Sequence, residues 1–419
     1  MKVLAIFPKC DAASRFSSPY NGMIQAFEDL GVSLYVLAGS DLVGRNLTEL
    51  RSAATEDRII ALVAELNPDM VVSVNNHGMT RRVRAGIRAP VVKWLFDDLE
   101  HFYVDQSFGS WPDTFDPEDV VVCYSSELCD RILSACPSLR VGPIFLPHAA
   151  SIQLFRDESA APRHNISFIG SYLDVGPALY FLQLFGHADG GIALAVEEIV
   201  KTIRSNPQAD VTAEVAQYGL ADRIRSLDMR PEDFKRILSD VITTRDRLAA
   251  VTSLKELGIA VYGKNDWVLP LIFFEGAERI FQHDARLDTQ VDLVRAYQNS
   301  LITIDVPNIQ NRTAIGGRVI EAMASGSLLI TKFQKGSDLY KVFGPDCPVP
   351  TYRDLPELFS LCAYYLTNPE AMQEVIVECN QLVSSGFDYK DRINFVLGLG
   401  GMRATEDGAR VSAALIRDL

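Results

Sequence analysis

Short apolar runs alternate with stretches of helical period along the first 150 residues. Lys2 to Phe7 and Ser33 to Leu37 read as strands on either side of a helix over Asn21 to Leu30. Glu56 to Leu66 carries apolar residues at Ile59, Ile60, Val63 and Leu66, the spacing of one helical face, and leads into Asp69 to Val74, a nearly continuous apolar run. Pro90 to Phe96 and Asp119 to Tyr124 are two further strands of the same kind. Strands that are apolar on both faces and separated by helices need right-handed crossovers. Residues 1–150 are therefore expected to form a Rossmann-like domain, a parallel sheet covered on both sides.

The rhythm lapses between Pro143 and Pro162, where three prolines mark an interdomain connection. A second α/β pattern follows, with strands at Asn165 to Gly170, Ile259 to Gly263, Ser300 to Val306 and Ser327 to Thr331. This second domain is expected to span 151–387. Between its first two strands, Asp174 to Arg245 is helical in pattern and has no strand, which makes it an insertion. Leu179, Phe181, Leu182, Leu184 and Phe185 are too many apolar residues for a segment surrounded by water. The insertion should pack on the interdomain cleft or on a second subunit in a homo-oligomer. From Asp388 to 419 the pattern predicts two short helices interrupted by Gly398-Leu399-Gly400-Gly401, crossing back to the first domain.

Composition narrows the function. Forty Lys and Arg against 54 Asp and Glu give a net charge of −14, which repels a nucleic-acid backbone or an anionic membrane. Seven cysteines without a C-x-x-C pair read as reduced, mostly buried thiols. The apolar run from Val3 is too short for a signal peptide, and no later run reaches the roughly 18 residues of a membrane span. A cytoplasmic location is the expectation.

The segment richest in candidate chemistry is Gly316-Gly317-Arg318-Val319-Ile320-Glu321, a loop entering a helix ahead of the strand Ser327 to Thr331. Two glycines leave backbone N–H groups accessible at a helix start, where the dipole favours an anion such as a diphosphate. Arg318 adds a charge-assisted donor, and Glu321, one turn on, could accept both hydroxyls of a ribose. A plain Arg318–Glu321 surface ion pair beside a tight glycine turn fits the same spacing. In the first domain, Asp97 and Asp98 end a strand on the side where open α/β sheets hold ligands, and either could serve as a base or as a cap. His77, in Asn75-Asn76-His77-Gly78, ends the preceding strand and is the second candidate. The loop from Lys9 to Asn21 could line the same side.

Several blocks, in order, resemble GT-B glycosyltransferases of group 1, specifically those similar to the spore maturation protein CgeB-like family. Gly316 to Thr331 resembles that family's R-x-F-E-A-x-A-x-G-x-x-L block, and Ile166-Ser167-Phe168-Ile169-Gly170-Ser171 its F-[IV]-G-S strand and loop. Pro147-His148-Ala149-Ala150 with Phe155 is similar to its interdomain stretch, and Leu257 to Gly263 with Trp267 to its G-[IV]-x-[VL]-Y-G-x-x-W. Tyr297 to Ser300 and Phe387 to Arg392 match two further blocks. The resemblance covers about residues 147 to 395. It implies two Rossmann-like domains facing across a cleft and a nucleotide-sugar donor on the second. Gly170 and Ser171 would face the diphosphate, Tyr262, Gly263 and Lys264 would lie near the base, and Gly316, Gly317, Arg318 and Glu321 would hold phosphate and ribose. Where the large retaining families carry Glu-x7-Glu, the first Glu is replaced here by Thr313, and the His before Thr-Tyr by Phe387.

The function expected is transfer of a sugar from a nucleoside-diphosphate donor to a glycan, protein or small-molecule acceptor. No D-x-D triplet or His ligand spacing calls for a metal, and no cofactor is expected. A nucleotide-sugar epimerase and an inactive nucleotide-binding scaffold or sensor are the alternatives. A dehydrogenase needs G-x-G-x-x-G after the first strand, and Pro8 to Ala13 contains no glycine.

Overall fold

The computed structural model describes residues 1–8, 18–38, 53–99, 102, 110–156, 161–172, 190–206, 211–226, 231–263, 267–271, 280–282, 287, 289–309, 311, 313–401 and 414–416. Its strands are β1 (Lys2–Phe7), β2 (Ser33–Ala38), β3 (Met70–Val74), β4 (Val91–Leu95), β5 (Val120–Cys123) and β6 (Ile144–Phe145). They continue with β7 (His164–Ile169), β8 (Ile259–Tyr262), β9 (Ser300–Asp305), β10 (Leu328–Lys332), β11 (Thr351–Tyr352) and β12 (Ala414–Ile416).

Two sheets result, both parallel. One runs β12-β2-β1-β3-β4-β5-β6, the other β11-β10-β9-β7-β8. The pleat explains why the strands read as continuous apolar runs. In β1, Val3, Ala5 and Phe7 pack into one core layer, whereas Leu4 and Ile6 pack into the layer on the opposite face.

In each sheet the first strand is an interior one, and its neighbours lead off in opposite directions. Val3 of β1 lies opposite Leu34 of β2 and Met70 of β3, and Ile166 of β7 lies opposite Ile259 of β8 and Ile302 of β9. At such a reversal the connecting loops diverge and leave a crevice outside the carboxyl ends of the strands. The molecule has two of these crevices, one at β1 and β3, the other at β7 and β9.

The described part of the insertion is helical: Gly190–Ser205, Val211–Gln217, Ala221–Ser226 and Pro231–Ser253. Ile199, Ile203, Val215, Ile224, Leu238 and Ile242 are buried together, so these helices pack on one another. The last continues beyond residue 245 and places Ala250 and Val251, followed just past its end by Leu254, in the core of the second sheet. Leu179, Phe181, Leu182, Leu184 and Phe185 lie outside the described residues.

The helix Tyr389–Leu399 crosses back and buries Tyr389, Ile393, Val396 and Leu397 in the core of the first sheet, with Gly398 inside the helix. Of the two short helices expected after Asp388, this one forms. The other described element of the segment is a strand, because the apolar triplet Ala414-Leu415-Ile416 pairs with the edge of β2, Ala414 opposite Tyr35. The outward and returning crossings run side by side. Ala150 N–H donates to Phe387 O at 3.0 Å, Tyr389 N–H to Ala150 O at 3.2 Å, and Ile152 N–H to the Asp388 carboxylate at 2.9 Å. Among the described residues, no helix is long and apolar enough to cross a membrane.

Candidate active site

The crevice of the second sheet is spanned by Arg318. It lies in the first turn of the helix Gly317–Ala324, whose N-cap Gly316 brings no capping side chain. One terminal nitrogen of Arg318 donates to Ile169 O at 3.0 Å, at the end of β7, and Nε stands 3.8 Å from Asp305 Oδ1, at the end of β9. The helix start is thus fixed over the reversal point, with its N–H groups uncovered by any cap of its own.

A second guanidinium joins it. Arg247, in the helix Pro231–Ser253, is buried and donates to Ser171 O at 2.8 Å. Both guanidinium carbons lie 6.0 Å from the Phe168 ring centre. Burial, and after it the charge of Arg318, lower the Arg247 pKa from 12.5 to about 9, against the opposing pull of Asp305 and Asp240. Two crowded cations at the crevice favour an anion between strand ends and helix start. Sequence reading missed Arg247. The available signal was its register, since Thr243, Ala250 and Leu254 put it on the buried face of an amphipathic helix.

Gly170 and Gly263 let the ends of β7 and β8 approach closely. Gly170 N–H donates to Tyr262 O at 2.9 Å, and Trp267 Nε1 donates to Gly170 O at 2.8 Å. Tyr262 contributes this carbonyl, while its buried ring packs 5.9 Å from His164 at the start of β7, away from the crevice. Lys264 lies outside the described residues.

Glu321 is 6% exposed and accepts a hydrogen bond from the Tyr297 hydroxyl at 2.9 Å. Desolvation raises its pKa from 4.5 to about 7, with the Tyr297 bond and Arg318 pulling the other way. The surface ion pair that its spacing also allowed is absent: Glu321 is buried, and the carboxylate paired with Arg318 is Asp305.

In the first sheet the structure separates the two adjacent aspartates. Asp98 accepts from the N–H of Leu99 at 2.6 Å and from Arg131 at 2.7 Å, and is 5% exposed. It is held as a cap and a charge partner. Asp97 accepts from the Asn75 amide at 2.9 Å, while Asn75 Oδ1 accepts from the Phe96 N–H at 2.9 Å. This bracing joins the ends of β3 and β4. Asn75 and Asn76 adopt left-handed backbone, φ 50° and 59°, a conformation that asparagine tolerates better than most residues. His77, inside that turn, is 5% exposed, and its backbone bonds to Val74 and Ser73. The first βα loop, residues 9–17, is outside the described set.

Side chains from both sheets meet beside this edge. Tyr124 donates to Asn311 at 3.1 Å, Ser125 and Thr313 share a hydrogen bond of 3.2 Å, and the Thr313 hydroxyl donates to Glu127 at 3.4 Å. The buried Asp338 carboxylate accepts from the Ser126 N–H at 3.0 Å and from its hydroxyl at 2.5 Å, an anion seated at the start of the helix Ser126–Ala135. Among the described residues, no group of three His, Cys, Asp or Glu side chains gathers as metal ligands would.

Comparison with known proteins gives the class of this architecture. Residues 243–398 match the family described as Glycosyl transferase-like. Among solved structures, Anabaena HepE in complex with UDP-glucose superposes with a TM-score of 0.53 at 12% identity, over 95% of this chain and 100% of that one. Sucrose-phosphate synthase from Thermosynechococcus elongatus gives 0.51 at 12% identity, over 95% and 98%. No curated protein sequence matches the chain significantly. The fold is that of GT-B glycosyltransferases, two parallel-sheet α/β domains.

Proposed function

We propose that the protein is a glycosyltransferase that moves a sugar from a nucleoside-diphosphate donor to an acceptor hydroxyl without a bound metal. The observation that carries this reading is Arg318, bridging the ends of β7 and β9 at an uncapped helix start, with Arg247 beside it. A departing diphosphate gains negative charge, and fixed donors that need no reorganisation stabilise it most. Glu321 is the ribose-side carboxylate in this reading, and the edge bearing Asp97 is the acceptor side. The narrower likeness to CgeB-like enzymes belongs to the same proposal.

Thermal unfolding in UDP, GDP, ADP and dTDP tests it. One of the four should raise Tm, since a ligand at a hundredfold excess over Kd adds about 2.7 kcal/mol to the folded state. Arg318→Ala should weaken that nucleotide by about 1.5 to 3 kcal/mol, the worth of charge-assisted hydrogen bonds. No Tm shift with any nucleotide overturns the donor site. Binding without release of nucleotide from any sugar conjugate would leave a sensor in place of a transferase.

A further inference from the structure

The connection from β9 to the helix Gly317–Ala324, described at 306–309, 311 and 313–316, places three apolar side chains in three different cores. Ile309 packs against the buried residues of the helical insertion, Ala314 joins Leu95, Tyr124 and Leu128 in a core of the first sheet, and Ile315 joins Val319 and Ile320 in a core of the second. Close-packed interiors transmit displacement, so this connection cannot shift at one anchor without disturbing the others. Its polar contacts are divided in the same way. Thr243, 1% exposed in the helix Pro231–Ser253, donates to Asn308 Oδ1 at 2.9 Å and accepts from the Ile309 N–H at 3.1 Å. Farther along, Asn311 Oδ1 accepts from the Tyr124 hydroxyl, and the Thr313 hydroxyl pairs with that of Ser125. Tyr124 stands at the junction of the two sheets. Its ring is 5.3 Å from that of His148, and a Cβ built on Gly317 would lie 4.0 Å from the His148 Cβ.

We propose, resting on the glycosyltransferase reading above, that the helical insertion aligns the acceptor side of the cleft with the donor side, and that Thr243 is the positioning residue through which it does so. The Thr243 hydroxyl fixes Asn308 and Ile309, and that fixes the reach of the chain to Asn311 and Thr313. Those two residues in turn set the place of Tyr124 and Ser125, and with them the edge of the first sheet. With the hydroxyl gone, the Ile309 N–H and the Asn308 amide turn to other partners, and the contacts downstream move with them. A misplacement of about 1 Å far from the reacting atoms costs about 10²-fold in rate. Nucleotide binding is held apart from this chain of contacts. Arg318 is anchored on Ile169 O and beside Asp305, and Arg247 on Ser171 O, all of them outside the connection. Loss of the brace therefore lowers turnover and spares affinity.

The test uses the full chain and UDP-, GDP-, ADP- and dTDP-glucose, with water as the acceptor, and measures nucleotide Kd and kcat on the same preparations. Thr243→Val keeps the shape and removes the hydroxyl; it should hold nucleotide affinity within about twofold and lose about 10- to 100-fold in kcat. Thr243→Ser restores the hydroxyl and should recover most of that loss. Asn308→Ala weakens the brace from the loop side and should repeat the split, so the test survives a Thr243→Val variant that fails to fold. Tyr124→Phe cuts the same path at its far end. Combined with Thr243→Val it should cost no more than the worse single change, whereas sites without shared partners add in free energy and multiply in rate. Hydrogen exchange supplies a readout that needs no turnover: Thr243→Val should speed exchange of the Asp338 N–H, which donates to Thr313 O at 2.6 Å. Wild-type kcat in a folded Thr243→Val variant, an equal fall in affinity and kcat, unchanged exchange at Asp338, or losses that multiply in the double variant each overturn the proposal. If the wild type binds nucleotide but hydrolyses none of the four sugars, the transferase reading falls and this proposal with it.

Discussion

Two glycines show how one clash distance can have two consequences. A Cβ on Gly170 would come within 2.4 Å of a terminal nitrogen of Arg318, and a Cβ on Gly263 within 2.4 Å of the Gly170 carbonyl oxygen. The first meets the end of a long side chain, the second meets backbone. Gly170→Ala is expected to push Arg318 off Ile169 O and weaken nucleotide binding at a stability cost below about 1 kcal/mol. Gly263→Ala should instead part the ends of β7 and β8 and cost about 1 to 3 kcal/mol, as overpacking does. Urea unfolding combined with nucleotide titration distinguishes them, and equal stability losses would refute the contrast. At this scale the sequence was informative about residue type and silent about direction. Asp97 and Asp98 are chemically identical neighbours, and only Arg131, brought from the helix Ser126–Ala135, makes Asp98 the one held in an ion pair. Arg318 was legible because it follows two glycines. Arg247 was not legible as a site residue, because its importance comes from partners distant in sequence.

Single strands carry their own contradictions. β4 reads as apolar, yet its central residue is Lys93, fully buried, with Nζ 2.9 Å from the equally buried Asp119 carboxylate and 5.0 Å from the Phe115 ring centre. Arg84 also donates to Asp119, at 2.7 Å, and Thr114 O accepts from Lys93. Desolvation pulls the Lys93 pKa down, and Asp119 opposes it. Asp119→Ala should therefore cost about 3 to 5 kcal/mol by leaving buried cations unpaired. Adding Lys93→Met should recover much of that loss, which chemical denaturation of the single and double variants would measure. A double variant no more stable than Asp119→Ala would show that packing, not charge, sets the cost. The long strands were legible for the reason that makes Lys93 an exception: both faces are covered, so nearly every position is apolar. β6, β11 and β12 were missed because two or three residues have no period. They exist because an established sheet edge offers them backbone partners.

In the whole molecule, two groups near the cleft pull stability in opposite directions with pH. Glu321 titrates at about 7 in the folded protein and at 4.5 ordinarily, so the fold retains a proton that the unfolded chain has released. Its contribution falls as pH rises through that interval. Desolvation lowers His148 from 6.5 to about 4, so the unfolded chain takes up a proton that the fold refuses, and its contribution rises over much of the same range. Glu321→Gln is expected to make unfolding free energy climb more steeply between pH 4.5 and 6.5, and His148→Gln to flatten or reverse it. Urea midpoints at pH 5, 6 and 7 provide the check, and a slope unaltered by Glu321→Gln would mean that its carboxyl ionises in the usual range. The side-by-side crossings at Ala150 and Asp388 have a further consequence, for the order of assembly. The second sheet and its helices form a guest inserted into a host, with entry and exit one strand spacing apart. During synthesis the guest has all its strands before the ribosome has made the helix Tyr389–Leu399 or β12, whereas the host cannot close its core or cover its edge until both emerge. The domain that begins first is thus the one that finishes last.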